Sequence, residues 1–308
     1  MKLASTRHID KVKHHPNPLY KYGVHNYKFQ SKDRTTRKMF LHFGILLLLS
    51  QGLLGEVDVS EAIDGDSRII GGQDATPGMA NYQVSIRVHE NGTEVHHCGG
   101  SILNEEYVLT VAHSIDEIII KHMSIVVGTH MMYKGGDRYK IKKFIPHEKF
   151  SPWMPFNNNI AIIQIEGKFK FSDKVQPIEL LKEMAPIRKK CLLTGWGYSK
   201  RVRRYLQKNL NMLEFETISN EDCTQQLRIL PYPNVLPVDA GHVCARSPEY
   251  RGACSGDYGS PLVIQDDKNK TLQIGVSAFV SWVPCAENFP DVFSSIHGYY
   301  DWIQHKIK

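Results

Sequence analysis

The segment Tyr82-Gln83-Val84-Ser85-Ile86-Arg87-Val88 places apolar residues at every second position, which is the period of a β-strand with one buried face. The same alternation recurs near 141–145 and 213–217, and nearly continuous apolar runs occupy 107–109 and 160–163. Turn residues separate these segments at intervals of roughly 8–15 residues, a spacing that predicts an all-β sandwich or barrel.

Two helices are predicted outside this pattern. The first covers 220–227, because Ser219 is a suitable cap and Asp222 follows it three residues later. The second is at the C-terminus, where one helical face collects the apolar side chains of Tyr299 or Tyr300, Ile303 and Ile307.

Composition narrows the class of protein. The chain has 308 residues, of which 42% are apolar and 23% charged, which excludes a disordered chain, a collagen and a disulfide knot. The net charge of +6 comes from residues 1–38, where ten Lys and Arg face two Asp, so that residues 39–308 together carry −2. A nucleic-acid-binding function is therefore not indicated.

The first 68 residues resemble targeting and processing segments. Residues 1–38 have no apolar periodicity and are interpreted as a basic disordered leader, upstream of a working start at Met39. Residues 39–55 combine a basic flank, an apolar run and small residues, which predicts a signal peptide and secretion. The alternative is a membrane anchor through 39–54 with a basic cytoplasmic tail. Residues 56–68 carry five acidic residues and end in Arg68, which suggests a cleavable pro-segment before the domain 69–308.

Eight short strings then occur in order along residues 69–308. They are Ile69-Ile70-Gly71-Gly72, Tyr82-Gln83-Val84-Ser85, Cys98-Gly99-Gly100-Ser101, Leu109-Thr110-Val111-Ala112-His113, Asn159-Ile160-Ala161, Thr194-Gly195-Trp196-Gly197, Cys254-Ser255-Gly256-Asp257 and Pro290-Asp291-Val292-Phe293. Together they resemble the chymotrypsin-like serine peptidases, most of all the arthropod members. The resemblance implies two six-stranded antiparallel β-barrels with a C-terminal helix and an active site between the barrels.

The resemblance also assigns the catalytic positions, and two of the three are changed. A Ser hydroxyl attacks, a His removes its proton, and a buried Asp holds that His in the correct tautomer. His113 matches the base, but Asn159 stands in place of the Asp and Tyr258 in place of the Ser. Asp to Asn costs about 10⁴-fold in turnover in this family, and loss of the nucleophile costs about 10⁶-fold. A single sequence error would restore one residue but not both.

Tyr258 is not a suitable nucleophile. Its phenol oxygen lies several bonds beyond the position of a Ser oxygen, and its ordinary pKa is near 10. Ser255 precedes the oxyanion loop, represented by Gly256 and Tyr258, and Ser260 follows it.

The cysteines fit only part of the family pattern. The resemblance implies the pairs Cys223–Cys244 and Cys254–Cys285. Cys98 is left unpaired because Ser114 stands where the family has its partner. Cys191 is left unpaired because Ile264 stands where the family has the partner of that cysteine. Each unpaired thiol is interpreted as a small buried hydrophobe, with a thiol that links to a partner protein as the alternative.

The activation and specificity positions are retained. By resemblance, cleavage after Arg68 frees the Ile69 ammonium to pair with Asp257. In the uncut chain Asp257 is expected to lie elsewhere, in a looser loop. The specificity pocket is assigned to Gly252, Val280 and Asp291, and the absence of Asp at its base predicts an apolar ligand side chain.

Two features lie outside the family pattern. The first is a basic stretch within 184–213, interpreted as a solvated loop, a polyanion or acidic-partner site, or a processing site; its members are Arg188, Lys189, Lys190, Lys200, Arg201, Arg203, Arg204 and Lys208. The second is a pair of glycosylation sequons on predicted turns, at Asn91 and Asn269. No metal or cofactor pattern is found, and the His96-His97 pair is expected at the surface.

The sequence therefore predicts a secreted, monomeric homolog of a serine peptidase that is not an enzyme. Its expected role is binding, as a decoy for protease inhibitors, a cofactor in a protease cascade or a scaffold, with proteases, inhibitors or cascade substrates as partners. The alternative is an active endopeptidase that cleaves after apolar residues.

Overall fold

The computed structural model describes residues 69–90, 92–115, 120–152, 157–198, 208–228, 238–248, 250–279, 285–286 and 288–308. All of them belong to one unit of the chain, Gly65–Lys308. Their strands, in chain order, are β1 (Gln73–Asp74), β2 (Gln83–Glu90), β3 (Thr93–Ile102), β4 (Tyr107–Thr110), β5 (Met123–Val127), β6 (Asp137–Pro146), β7 (Ala161–Ile165), β8 (Glu179–Leu180), β9 (Lys190–Gly195), β10 (Asn211–Ile218), β11 (His242–Arg246), β12 (Pro261–Gln265), β13 (Thr271–Phe279) and β14 (Asp291–Ser295).

The first barrel is closed by six antiparallel strands in the order β2-β3-β4-β7-β6-β5. The alternation that begins at Val84 explains its core, because Val84, Ile86 and Val88 are buried together inside it. On the facing strands, Ile125 and Ile163 complete the same cluster. The strand that the sequence pattern predicted first therefore builds one wall of this barrel.

The second barrel closes through β9, β10, β11, β14, β13 and β12, which form an antiparallel ring. The prediction of two six-stranded antiparallel barrels is confirmed. Two short strands extend the second sheet: β1 pairs with β10, and β8 pairs with β13 in the parallel direction.

Both predicted helices are confirmed. Helix α1 covers Asn220–Leu227, and its first turn is capped by Ser219 Oγ, which accepts a hydrogen bond from the Asp222 N–H at 3.0 Å. Helix α2 covers Ile296–Lys306 and buries Ile296, Tyr299 and Ile303. Its buried face joins a cluster that contains Leu109 and Ile162 of the first barrel and Val276 of the second, so α2 covers the seam between the barrels.

Both disulfides predicted from the resemblance are present. Cys223–Cys244 ties α1 to β11, and Cys254–Cys285 ties the loop before β12 to the segment before β14. Cys98 and Cys191 are free and buried, and burial raises the pKa of each thiol to about 12. Such thiols are protonated and enclosed, which fits the interpretation as small buried hydrophobes rather than a link to a partner.

Several predictions fall on residues outside the described ranges. They include the leader 1–38, the signal peptide 39–55, the pro-segment 56–68 with Arg68, the sequon residue Asn91, the pocket residue Val280, and Lys200, Arg201, Arg203 and Arg204. Within the described ranges, no helix is long and apolar enough to cross a membrane.

Candidate active site

One strand pairing and one backbone hydrogen bond bring the three catalytic positions together between the barrels. His113 follows β4 and Asn159 precedes β7, and these strands pair with Thr110 opposite Ala161. Tyr258 comes from the loop before β12, in the second barrel. The loop is tied to the first barrel by the Gly99 N–H, which donates to the Tyr258 carbonyl at 2.7 Å.

The orientation of the Asn159 side chain follows from its partners. Its Oδ1 accepts hydrogen bonds from the backbone N–H groups of Ala112 and His113, both at 3.0 Å. Its Nδ2 therefore donates to the Ala278 carbonyl at 3.2 Å and lies 2.8 Å from His113 Nδ1, closer than the 3.2 Å between that Nδ1 and Oδ1. Because the carboxamide cannot rotate without losing these bonds, the assignment rests on the network itself.

The shorter of the two contacts favours the tautomer of His113 that is unsuited to catalysis. An Nδ1 that accepts a hydrogen bond carries no proton, so the neutral ring has its proton on Nε2. Nε2 then donates to Ser114 Oγ, 3.1 Å away. A general base needs a free lone pair at Nε2, and here that nitrogen is a donor.

His113 also resists protonation. Part of its side chain reaches solvent, but the protein packed around the imidazole desolvates it. This desolvation lowers its pKa to about 4. The residue is thus a neutral, hydrogen-bonded side chain at neutral pH.

Tyr258 fills the space between the barrels. Its ring meets the His113 ring edge-to-face, with the centroids 4.6 Å apart and the planes at 90°. Among the partly buried hydrophobic residues that the structure describes, Tyr258 alone packs against all three of the largest buried clusters. The side chain in place of the nucleophile is therefore a packing element of the cleft.

The loop around Tyr258 keeps a geometry that only glycine allows. Gly256 has φ +97° and Gly259 has φ +81°. A Cβ on Gly259 would lie 2.2 Å from the Gly99 carbonyl oxygen. These two glycines therefore determine the backbone path on both sides of Tyr258.

His96, on β3 of the first barrel, supports this loop, so its predicted surface position is wrong. The residue is 5% exposed. Its Nε2–H donates a hydrogen bond to the Gly256 carbonyl oxygen, 2.8 Å away. Its Nδ1 then accepts from Ser85 Oγ at 2.8 Å. Burial lowers the pKa of His96 to about 3, so the ring is neutral.

Asp257 is fully buried beneath the loop. Its Oδ1 accepts from the Gly197 N–H at 2.8 Å and its Oδ2 from the Cys254 N–H at 3.0 Å. Burial raises its pKa to about 7. In this continuous chain the Asp257 carboxyl group is buried and hydrogen-bonded, whereas a looser loop was expected before cleavage. The two backbone donors offset part of the cost of burying the carboxyl group without a cation.

Ile69 is also buried in the uncut chain, with no exposed surface. Its φ of +38° is a left-handed value that a β-branched residue adopts only under constraint. The next residue, Ile70, pairs with Gly252 in an isolated antiparallel bridge. The activation segment is thus held inside the second barrel.

Gly252, which the resemblance assigns to the specificity pocket, has an acidic group beside it. A Cβ on Gly252 would lie 3.2 Å from Asp291 Oδ2, and that oxygen accepts from the Ala253 N–H at 3.0 Å. Burial, with a smaller effect of the charge of Asp257, raises the pKa of Asp291 to about 7. The sequence interpretation of an apolar base was therefore incomplete, because it treated Asp291 as merely nearby.

The described part of the basic stretch is partly neutralised. Lys190 Nζ lies 2.9 Å from Glu214 Oε1 on β10, an acid that lies just outside the stretch in sequence. Asn269 lies on an exposed turn between β12 and β13, with φ +60°, as the sequon prediction required.

Two cavities, of about 380 and 370 Å³, lie elsewhere on the surface. Neither is lined by His113, Asn159 or Tyr258. The residues that sequence reasoning missed are Ser114 and His96. Ser114 had been noted only as a lost cysteine, and His96 only as half of a His-His pair.

Comparisons with known proteins agree with this architecture. The Trypsin family model matches residues 69–303, and the chain therefore belongs to the trypsin family of serine peptidases. Mouse neuropsin, a serine protease, has a similar solved structure, with a TM-score of 0.67 and 24% identity over 78% of this chain and all of that one.

Two curated relatives come from arthropods. A collagenase of Hypoderma lineatum is 29% identical over 87% of this chain and 97% of its own length. The clotting factor G beta subunit of Tachypleus tridentatus is 30% identical over 77% of this chain and 79% of its own length. A third relative is a mammalian protein, serine protease 28 of Mus musculus. It is 29% identical over 78% of this chain and 89% of its own length.

Proposed function

We propose that this chain is a non-catalytic binding or regulatory protein of the trypsin family. The observation that carries the proposal is the hydrogen bond from Asn159 Nδ2 to His113 Nδ1. With Nδ1 as the acceptor, the proton of the neutral ring lies on Nε2, where the base must have a lone pair. The replacement of the nucleophile by Tyr258, whose ring packs on His113, acts in the same direction.

The alternative is an active endopeptidase, and one contact favours it. Ser114 Oγ is 3.1 Å from His113 Nε2, the distance expected between a nucleophile and its base. The direction of this hydrogen bond opposes the endopeptidase function. With its proton on Nε2, His113 donates to Ser114 Oγ and cannot also remove the proton of the Ser114 hydroxyl. Ser114 also follows His113 on the first barrel, whereas the oxyanion loop comes from the second.

A labelling experiment separates the two functions. The protein cleaved after Arg68 is exposed to a fluorophosphonate probe, beside Tyr258→Ser/Asn159→Asp as a positive control and Ser114→Ala as a matched variant. The proposal expects labelling of the double variant alone. Labelling of the wild type that disappears in Ser114→Ala would instead establish the endopeptidase.

The binding role makes specific demands on the rest of the molecule. The partners proposed are proteases, protease inhibitors or cascade substrates, held by the cleft or by the basic stretch that contains Arg188, Lys189 and Lys208. Secretion through residues 39–55, glycosylation at Asn91 and Asn269, and a monomeric state belong to the same proposal. Affinity capture with cleaved and uncleaved protein tests it. Recovery of an inhibitor on the cleaved form alone would support the decoy role.

A further inference from the structure

Strand β6 carries a row of cations on the outside of the first barrel. Lys140, Lys142 and Lys143 are exposed, as is Arg138 at the start of the row. At about 3.3 Å per residue, the row from Arg138 to Lys143 is roughly 17 Å long. These four residues are called the β6 strip below.

A β-bulge explains why neighbouring lysines share this face. The register between β6 and β7 shifts between Ile141 and Lys143, so one extra residue is inserted into β6. Ile141 and Phe144 therefore both point into the core, although they are three residues apart. Lys142 and Lys143 both remain outside.

The three lysines are not neutralised by neighbouring carboxylates. No ion pair within 4.0 Å involves Lys140, Lys142 or Lys143 in the described part of the chain. The flanking strands β5 and β7 contain no acidic residue. Glu166, just after β7, meets the strip through its backbone N–H, which donates to the Lys140 carbonyl at 2.9 Å.

Charged groups also flank the strip. Glu94 is shared by Arg138 and Arg87, at 2.9 and 3.0 Å, and Asp137 directly precedes Arg138, so this end is close to neutral and the excess charge lies on the three lysines. The 3₁₀ turn Ile120–His122 packs beside β6 and exposes Lys121 and His122.

We infer that the β6 strip is a binding surface for a linear sulfated polysaccharide. The strand presents Arg138, Lys140 and Lys142 at intervals of about 7 Å on one face, and the bulge adds Lys143 beside them, which suits an extended polyanion. The large exposed hydrophobic residues of the described chain lie elsewhere: Met79, Val95, Met131, Tyr133, Phe171, Met184, Ile187 and Tyr250. A protein partner would need such apolar anchors at the centre of its interface, and β5, β6 and β7 offer none.

The test uses heparin as the probe and the full chain as the protein. Binding is measured across a range of salt concentrations for the wild type and for Lys140→Gln/Lys142→Gln/Lys143→Gln. The matched control, Arg188→Gln/Lys189→Gln/Lys190→Gln, removes the same charge from the other basic region. Melting temperatures confirm that each variant is folded.

The strip variant is expected to bind heparin at least tenfold more weakly. The slope of log affinity against log salt should fall by roughly one for each lysine removed, since each contact releases a counterion. The control should bind within threefold of the wild type.

Three results would overturn the inference: no heparin binding at physiological salt, equal losses in the two variants, or stronger binding of polyglutamate than of heparin. The last would assign the strip to an acidic polypeptide. None of them bears on catalysis, which the fluorophosphonate experiment tests separately.

Discussion

The activation region and the catalytic positions of this protein differ sharply in how much of the family chemistry they keep. Around Asp257, two backbone donors hold the carboxyl group, and His96 donates to the Gly256 carbonyl. At the catalytic positions, Asn159 and Tyr258 change what the side chains can do. The comparison teaches that the contacts that bury Asp257 form with Asn and Tyr at the catalytic positions.

The largest effect is expected on catalytic activity, when the family's Ser and Asp are introduced at the catalytic positions. Tyr258→Ser/Asn159→Asp should hydrolyse a peptide ester roughly 10⁴-fold faster than Tyr258→Ser alone. An acceptor at residue 159 moves the proton of His113 to Nδ1 and frees Nε2. The magnitude is taken from the serine peptidase family rather than from this structure. Equal kcat values for the two variants would contradict the account of Asn159.

A large effect on stability is expected in the retained region. Cleavage after Arg68 frees the Ile69 ammonium and releases the constraint on its φ, so cleaved wild type should melt above uncleaved. Asp257→Ala should lower the free energy of unfolding of the cleaved form by about 3–5 kcal/mol, because it leaves a buried cation unpaired. Calorimetry on both forms measures this. Identical melting temperatures before and after the cut would mark the site as an unused relic.

The uncut protein should lose stability as the pH rises from about 4 to about 7. Asp257 and Asp291 have pKa values raised to about 7 by burial, so the folded state binds protons that the unfolded state has released. The loss is at most about 4 kcal/mol for each group. Denaturant unfolding at several pH values measures the loss. Comparison with Asp257→Asn gives the part of the loss that Asp257 contributes. A flat profile for the wild type would refute this prediction.

The smallest effect concerns the ring that fills the cleft. Tyr258→Leu keeps an apolar side chain but removes the edge-to-face contact with His113, which is worth about 0.5–1.5 kcal/mol. Urea unfolding of the two proteins measures the difference. A loss above about 3 kcal/mol would show that Tyr258 has a structural role beyond this contact.

The sequence was sufficient for the fold and for the identity of the catalytic positions, because both depend on local strings. Val84, Ile86 and Val88 alternate along one strand, and His113, Asn159 and Tyr258 are each marked by the residues beside them. The contacts of His96 were not predictable in this way. They join Ser85 and Gly256, and the second of these is 160 residues away.

Asp291 and Asp257 show the same limit in another form. Both were identified from the strings that contain them, but their burial depends on how the second barrel closes. A raised pKa depends on that closed environment, so it could not be predicted from the sequence strings alone. The position of the Asp291 carboxyl group beside Gly252 was therefore known only from the folded structure.

The contacts of the Asn159 side chain also determine what an Asp would meet at this position. A carboxylate accepts hydrogen bonds but donates none, so an Asp at this position would place an oxygen against the Ala278 carbonyl, which now accepts from Nδ2 at 3.2 Å. Tyr258→Ser/Asn159→Asp would leave that carbonyl without this donor. The acceptor is a main-chain oxygen, which no substitution at 278 removes. The surroundings of residue 159 therefore favour the amide over the acid, whatever side chain stands at 258.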